Sequence, residues 1–189
     1  MTVHLSIDQD GGLSTLQLGL AVDEVRKIWS DAHVEVTSGP YSEQRVPDVA
    51  SISVRILRSS LPLKAGAVRT TLAWVTPGGS GRPAPMVLVS LPAVTETVMG
   101  ADALDRPVEK LTHELRDRLI GRAIGRVTAH ELGHYLLENG GHRDRGLMRA
   151  AYSPSELVGE WLEPFKVPSG QRSIARQEIA ALARLQNAY

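Results

Sequence analysis

The sequence predicts one domain of the α/β (α+β) class, with a mixed sheet of about five strands, one long helix and a C-terminal helix. Stretches with the alternating pattern of strands come first along the chain, and helical patterns dominate after residue 107. With 189 residues, the chain is long enough for one domain with its own core. We divide this domain into residues 1–139, with the sheet and the long helix, and residues 140–189.

Composition and charge narrow the possible partners. Lysine plus arginine number 21, as do aspartate plus glutamate, so no net field attracts nucleic acid or an anionic membrane. The absence of cysteine excludes disulfides and cysteine nucleophiles. No apolar stretch approaches the roughly 18 residues of a membrane span, and no signal peptide is visible. We therefore expect a cytoplasmic protein as the sequence stands, or a secreted one if an N-terminal segment was removed, and we predict no oligomeric state.

A βαβ unit is predicted at the start of the chain. Residues 3–7 alternate between apolar and polar side chains, and turn residues follow at 10–12. Residues 21–32 place apolar side chains on one helical face, and residues 33–37 form a second strand. A strand, a helix and a strand within about 35 residues favour parallel pairing of the two strands.

Three more strands are predicted before the long helix. Residues 49–57 alternate strongly, which is typical of a half-buried strand. Residues 70–76 form the next strand, and it ends at a stretch rich in proline and glycine, residues 77–85. Residues 86–91 are almost continuously apolar, so we expect a strand that is covered on both faces.

The long helix is predicted from residue 108 to about residue 138, with Pro107 in its first turn. Apolar side chains between residues 119 and 127 follow the i, i+3, i+4, i+7 pattern of a helix face that is turned to the core. Gly121 and Gly125 each weaken this helix by roughly 1 kcal/mol relative to alanine. We expect them to allow close packing against the sheet.

The end of this helix carries the sequence His130-Glu131-Leu132-Gly133-His134. Histidines at i and i+4 lie on the same helix face and can both reach one metal ion at Zn–N distances of about 2.0–2.1 Å. Glu131 is offset by about 100° around the helix axis, beside the metal, where it can take a proton from a bound water. Buried histidines and a buried carboxylate are costly unless something satisfies them. We therefore predict one catalytic Zn²⁺ ion, with Glu131 as the general base.

A catalytic zinc ion needs a third protein ligand and an open fourth position. Gly140-Gly141 can end the helix and turn the chain, which would bring His142 back toward the metal. Glu156 and Glu160 are the alternative third ligands. They lie four residues apart on a separate short helix, where helix capping and a solvated face also explain them.

Two helices are predicted after the third histidine. Ser153, Pro154 and Glu156 form a capping-box start of a short helix that runs through Leu162. Residues 169–187 place apolar side chains on one face and form the C-terminal helix.

A second histidine–carboxylate pair lies near the start of the long helix. His113 and Asp117 could in principle share a metal ion. However, Arg116 and Arg118 crowd the pair with charge, and no apolar stripe runs into it. We predict a solvated surface pair.

The zinc motif and the residues after it resemble the metzincin clan of zinc endopeptidases. The resemblance is carried by H-E-L-G-H, by the later His142 and by Gly146-Leu147-Met148. It implies a protein or peptide substrate, three histidine ligands and Met148 as the methionine of a turn beneath the metal. The sequence departs from the family pattern at two points. Leu137 stands where the family has a glycine, and the third histidine comes two residues late.

The residues around position 73 resemble the edge strand and following loop of matrixin-type metzincins. This resemblance implies a metzincin-like twisted sheet whose edge strand is antiparallel and borders the active-site cleft. Ala73 and Trp74 would then contact substrate, although Trp74 is equally explained as an ordinary sheet residue. Tyr152 would help to hold the transition-state oxyanion, as a tyrosine does in some family members.

Two other interpretations stay open. One is a metallopeptidase of another type, either a gluzincin with Glu156 or Glu160 as the third ligand or a regulator-cleaving peptidase of the ImmA type. Residues 126–134 resemble the local signature of the latter group as well. The other is a non-catalytic binding module that is stabilised by zinc.

Overall fold

A computed structural model describes residues 1–8, 12–39, 46–59, 71–77, 83–137 and 141–187. Its helices and strands are, in chain order, β1 (Thr2–Asp8), α1 (Thr15–Ser30), β2 (Glu35–Gly39), β3 (Val49–Leu57), β4 (Ala73–Pro77), β5 (Pro83–Ser90), α2 (Leu91–Met99), β6 (Asp102–Ala103), β7 (Arg106–Pro107), α3 (His113–Leu136), α4 (Pro154–Val158) and α5 (Ser169–Asn187). Short 3₁₀ helices lie at Val108–Lys110, Gly146–Met148 and Glu163–Phe165.

The main sheet is mixed and has the strand order β2-β1-β3-β5-β4. Strand β1 pairs in parallel with β2 and β3, and β3 pairs in parallel with β5. Strand β4 pairs antiparallel with β5 at the edge. The predicted βαβ unit, the five-stranded mixed sheet and the antiparallel edge strand are therefore confirmed. A parallel pair needs a crossover connection, and helix α1 supplies it between β1 and β2.

Several predicted bounds shift by a few residues. The second strand lies at 35–39 instead of 33–37, and β4 begins at residue 73 instead of 70. The short helix α4 ends at Val158, four residues before Leu162, whereas the predicted span of α5 is confirmed. Residues 10 and 11 of the predicted turn, and residues 78–82 of the proline- and glycine-rich stretch, lie outside the described residues.

Helix caps explain the larger errors. Helix α1 begins at Thr15, six residues earlier than predicted, because Ser14 and Gln17 form a capping box with bonds of 3.1 and 3.0 Å. Helix α3 begins at His113 instead of residue 108, since Thr112 caps it and a 3₁₀ turn precedes it. The apolar periodicity of a helix does not mark these starting points.

Helix α2 and the small β6–β7 hairpin have no counterpart among the predicted elements. Ser90 accepts a hydrogen bond from the Ala93 N–H at 3.2 Å and so begins α2 directly at the end of β5. The apolar run that we interpreted as a doubly covered strand therefore continues into a helix. Within β5 itself, Val87 and Val89 are buried but Leu88 is only half-buried, so full coverage of both faces was wrong.

Glycines in α3 bring it close to α1, and not to the sheet as predicted. A Cβ atom at Gly125 would lie 2.5 Å from the Ala21 carbonyl oxygen and 2.6 Å from the Cβ atom of Glu24. A Cβ atom at Gly121 would lie 2.7 Å from the carbonyl oxygen of Gln17. Real Cβ contacts are never this short, so the two helices touch backbone to backbone at these positions. None of the described helices is long and apolar enough to cross a membrane.

This contact can be tested with two glycine-to-alanine substitutions. Gly125→Ala should lower the free energy of unfolding by about 1–3 kcal/mol, because the new methyl group overpacks the α1–α3 interface. Gly19→Ala is the matched control, since a Cβ atom there meets nothing within 4 Å. It should raise the free energy of unfolding by about 0.5–1 kcal/mol through helix propensity alone. Urea unfolding of both variants measures the difference, and equal effects would contradict the close contact.

Candidate metal centre

The last two turns of α3 carry the predicted zinc motif into the interior. His130 is 9% exposed and Glu131 is 8% exposed, while His134 is half-buried. The helix ends at Leu136, where the Leu137 N–H donates to the Gly133 carbonyl at 2.9 Å. The predicted hinge residue Gly140 lies outside the described residues, which resume at residue 141.

The structure brings His142 to the two helical histidines. The ring centroids are 4.7 Å apart for His130 and His134, 5.4 Å for His130 and His142, and 4.9 Å for His134 and His142. One ring nitrogen from each histidine lies within 4.8 Å of the other two. Within the described part of the chain, no other group of three or more histidine or carboxylate side chains has this geometry.

The distance between the two helical histidines suits a tetrahedral metal ion. The Nε2 atoms of His130 and His134 are 3.1 Å apart. Two nitrogens bound tetrahedrally at Zn–N distances near 2.05 Å would be separated by roughly 3.3 Å. A shift of a few tenths of an ångström therefore suffices to seat an ion between them. His142, which is exposed, approaches from the segment that follows the helix.

A backbone carbonyl selects the tautomer of His130. The Nδ1 atom of His130 lies 2.6 Å from the Leu147 carbonyl oxygen, so Nδ1 carries the proton and donates it. The Nε2 lone pair then faces the Nε2 atom of His134, 3.1 Å away. This is the usual outer-shell arrangement for a histidine that binds a metal.

Burial also keeps His130 uncharged. Desolvation lowers the pKa of His130 to about 4, even though its bond to the Leu147 carbonyl raises it, and the neighbouring His134 and His142 lower it further. The imidazole is therefore neutral at neutral pH. A metal ligand must be in this form.

Met148 lies directly beneath the motif, at the end of the 3₁₀ turn Gly146–Met148. It is 1% exposed, and a Cβ atom at Gly133 would overlap its sulfur atom. The glycine of the H-E-L-G-H motif is therefore the residue that lets the methionine approach the helix. The Arg143 N–H donates to the Met148 carbonyl at 2.7 Å, which ties the residue after His142 to the same turn.

Tyr152 contacts this turn as well. Its hydroxyl oxygen lies 2.5 Å from the Leu147 carbonyl oxygen and 3.1 Å from that of Gly146. Burial raises the pKa of Tyr152 above its usual range, so the hydroxyl stays protonated and donates. The predicted oxyanion role of Tyr152 stays a prediction.

The two glutamates that were alternative ligands lie outside the histidine group. Glu156 forms the predicted capping box with Ser153, and its Oε1 accepts a hydrogen bond from Arg149 at 2.6 Å. Glu160 is exposed. Their surroundings match the capping and solvated roles and do not favour either as a metal ligand.

The remaining predicted residues lie away from the histidines or at the sheet edge. Ala73 and Trp74 are half-buried in strand β4, and their contact with substrate stays a prediction. The His113 side chain is 82% exposed and 3.5 Å from the Asp117 carboxylate. Asp117 is less solvated than predicted, since its side chain is 16% exposed and accepts a hydrogen bond from Gln17 at 2.9 Å.

A buried arginine below the motif has no counterpart among the predicted site residues. Arg126 is 1% exposed, and its Nε donates to the Glu24 carboxylate of α1 at 2.7 Å. It also donates to the carbonyl oxygens of Glu156 and Trp161. The signal in the sequence was weak: an arginine four residues before His130, and a glutamate next to the apolar face of the first helix.

Comparison with known proteins gives two solved structures with a similar fold. No protein-family model matches the chain, and no curated protein matches it. A zinc-dependent peptidase from Methanocorpusculum labreanum is 14% identical, with a TM-score of 0.52 over 92% of this chain and 99% of that one. The archaemetzincin from Methanopyrus kandleri is also 14% identical, with a TM-score of 0.52 over 95% of both chains. At this identity, the likeness establishes the shared fold.

The ligand set can be tested by zinc titration. His142→Ala should lower Zn²⁺ affinity by more than the roughly 10–100-fold that loss of an outer-shell partner costs, because a coordinating nitrogen is removed. Glu160→Ala should leave the affinity unchanged. Glu156→Ala should also retain zinc, although loss of its capping box costs about 1 kcal/mol of stability. Retained binding in His142→Ala together with loss in either glutamate variant would assign the third ligand to a glutamate.

Proposed function

We propose that this chain is a zinc-dependent endopeptidase of the metzincin type, with His130, His134 and His142 as ligands of one catalytic Zn²⁺ ion. The observation that carries the proposal is the convergence of three histidines from two separate segments, with the buried residue Glu131 next to His130 in the chain. The fold supports it, because it is shared with a zinc-dependent peptidase and with an archaemetzincin.

Zinc fits the donor set better than magnesium or calcium does. Three neutral imidazole nitrogens are typical of catalytic zinc sites, in which the fourth position stays open for water or substrate. Magnesium and calcium prefer oxygen ligands, and this group contains none. When bound, zinc lowers the pKa of a coordinated water and polarises the carbonyl of the scissile bond.

Glu131 supplies the proton transfers in this proposal. It follows His130 on the same buried helical turn and is 8% exposed, so it is sheltered from bulk solvent. It takes a proton from the attacking water and delivers it to the amide nitrogen that leaves. One carboxylate can do both, since the peptide bond is broken after the water has attacked.

Strand β4 supports a peptide as the substrate. It is the edge strand of the sheet, it contacts helix α3, and its side away from β5 pairs with no other described strand. An extended peptide can add to such an edge by backbone hydrogen bonds. The antiparallel direction of β4 also supports the matrixin-like character of this region, with Ala73 and Trp74 next to the bound chain.

The proposed base can be tested by one isosteric change. Glu131→Gln should keep Zn²⁺ and the fold but lose about 10²–10⁴-fold in peptide hydrolysis, because an amide cannot accept the proton. Glu114→Gln is the matched control, since it is the same change on an exposed position of the same helix, and it should keep full activity.

Cleavage of a mixture of fluorogenic peptides, with metal content measured on each variant, distinguishes the possible results. Full activity of Glu131→Gln at unchanged zinc content would refute the mechanism. A wild-type protein that binds zinc tightly but cleaves no peptide would instead indicate a zinc-stabilised binding module.

The substrate position can be tested by amide hydrogen exchange. A peptide hydroxamate chelates zinc and carries an extended chain, so it should slow exchange in strand β4 at residues 73–76 through new backbone hydrogen bonds. Acetohydroxamate is the control because it chelates without a peptide chain, and it should leave β4 unprotected. Protection confined to helix α5 would contradict the proposed position.

A further inference from the structure

We infer that Tyr152 is a positioning residue, which fixes the orientation of the metal ligand His130 through the backbone carbonyl of Leu147. This role differs from the oxyanion contact that the family resemblance implies. It rests on the proposed function only in that His130 is taken as a zinc ligand.

The Leu147 carbonyl oxygen accepts two short hydrogen bonds. His130 Nδ1 lies 2.6 Å away and the Tyr152 hydroxyl 2.5 Å away. A carbonyl oxygen has two lone pairs, so its acceptor capacity is filled by these two donors. Leu147 is fully buried, so bulk water does not reach this oxygen while both donors are in place.

The backbone of Leu147 is also held on its N-terminal side, through its own N–H. The Leu147 N–H donates to the Lys166 carbonyl at 3.0 Å, and the preceding Gly146 has φ +72°, where a side chain would be strained. A Cβ atom at Gly146 would lie 2.6 Å from the same Lys166 oxygen. The turn is thus pressed against the Lys166 backbone, and the tyrosine hydroxyl completes the set of contacts that fixes the carbonyl direction.

Tyr152 is itself anchored to helix α3 through aromatic contacts. Its ring stacks on Phe165, with centroids 4.5 Å apart and planes at 24°. Phe165 is fully buried, and the Arg126 guanidinium lies 4.6 Å from its ring centroid. Arg126 and His130 are four residues apart on the same face of α3. A series of contacts therefore connects Arg126 to His130, one helical turn later, by way of Phe165, Tyr152 and the Leu147 carbonyl.

The single hydrogen of the Tyr152 hydroxyl favours the positioning role over direct contact with substrate. A tyrosine hydroxyl has a single hydrogen, and the nearest acceptor of that hydrogen is the Leu147 oxygen. A hydroxyl that donates there has no hydrogen left for an oxyanion. Without this donor, the Leu147 carbonyl could tilt, the bond to His130 would lengthen, and the imidazole would turn away from the other two histidines.

Tyr152→Phe tests this role because it removes the hydroxyl and keeps the stacked ring. We expect Zn²⁺ affinity, measured by competition with a chelator, to fall by about 10-fold, within the range for outer-shell partners. The visible absorption bands of the Co²⁺-loaded protein should shift as the ligand geometry changes. In the metal-free protein, the Nδ1–H proton resonance of His130 should move upfield and exchange faster with solvent.

Gln186→Ala serves as the control for a purely structural effect. The Gln186 side chain bonds the backbone N–H and carbonyl of Ser51 at 2.8 and 2.7 Å, in strand β3. Its loss should destabilise the fold but leave zinc affinity, the Co²⁺ bands and the His130 resonance unchanged. Phe165→Leu is a second variant, which keeps the Tyr152 hydroxyl but removes its stacking partner, and it should shift the same three readouts less.

The outcomes separate this inference from the proposed function. Unchanged zinc affinity and an unchanged His130 resonance in Tyr152→Phe would overturn the positioning role. Unchanged affinity with a lower kcat would also overturn it, and would assign the tyrosine to the transition state. A wild-type protein that fails to bind zinc, but whose His130 resonance still shifts in Tyr152→Phe, would refute the zinc peptidase and leave the positioning of His130 supported.

Discussion

Burial of the second half of helix α3 is the constraint on which the rest of the structure depends. From Ile120 to Gly133, nearly every residue is buried, and the run includes Arg126, His130 and Glu131. Polar and charged groups are costly to bury unless they are paired. Other helices and turns must therefore supply hydrogen-bonding groups or opposite charges to these buried side chains. Helix α1 brings Glu24 to Arg126, and the turn after His142 brings the Leu147 carbonyl to His130.

Glycines decide how closely those elements approach. On helix α3, Gly121 and Gly125 let the backbone of α1 approach closely, and Gly133 lets the sulfur atom of Met148 approach in the same way. Each glycine reduces helix propensity by about 1 kcal/mol, and close packing against a second element offsets that loss. The helix that carries His130 and His134 is thus held between α1 and the 3₁₀ turn Gly146–Met148, and the same contacts that bury it also orient its imidazoles.

The periodicity of apolar residues predicted most of the helices and strands. It failed where a single capping side chain determines the first residue of a helix. The strong alternation of residues 49–57 gave the right strand, and the apolar face of α5 gave the right helix. The start of α1 depends on the capping box of Ser14, and the start of α2 depends on Ser90. Such caps are one or two hydrogen bonds, which leave no trace in an average over a window of residues.

The sequence by itself determined the relation of His130, Glu131 and His134, because the α-helix places residues four apart on one face wherever it lies in the fold. It also indicated the capping role of Glu156 through a local pattern. Only the tertiary structure brought His142 to the helical pair and Tyr152 to the Leu147 carbonyl. The partner of Arg126 lies 102 residues away along the chain. No local pattern encodes such a pair, since chain entropy leaves distant residues unrelated until the packing of α1 against α3 brings them together.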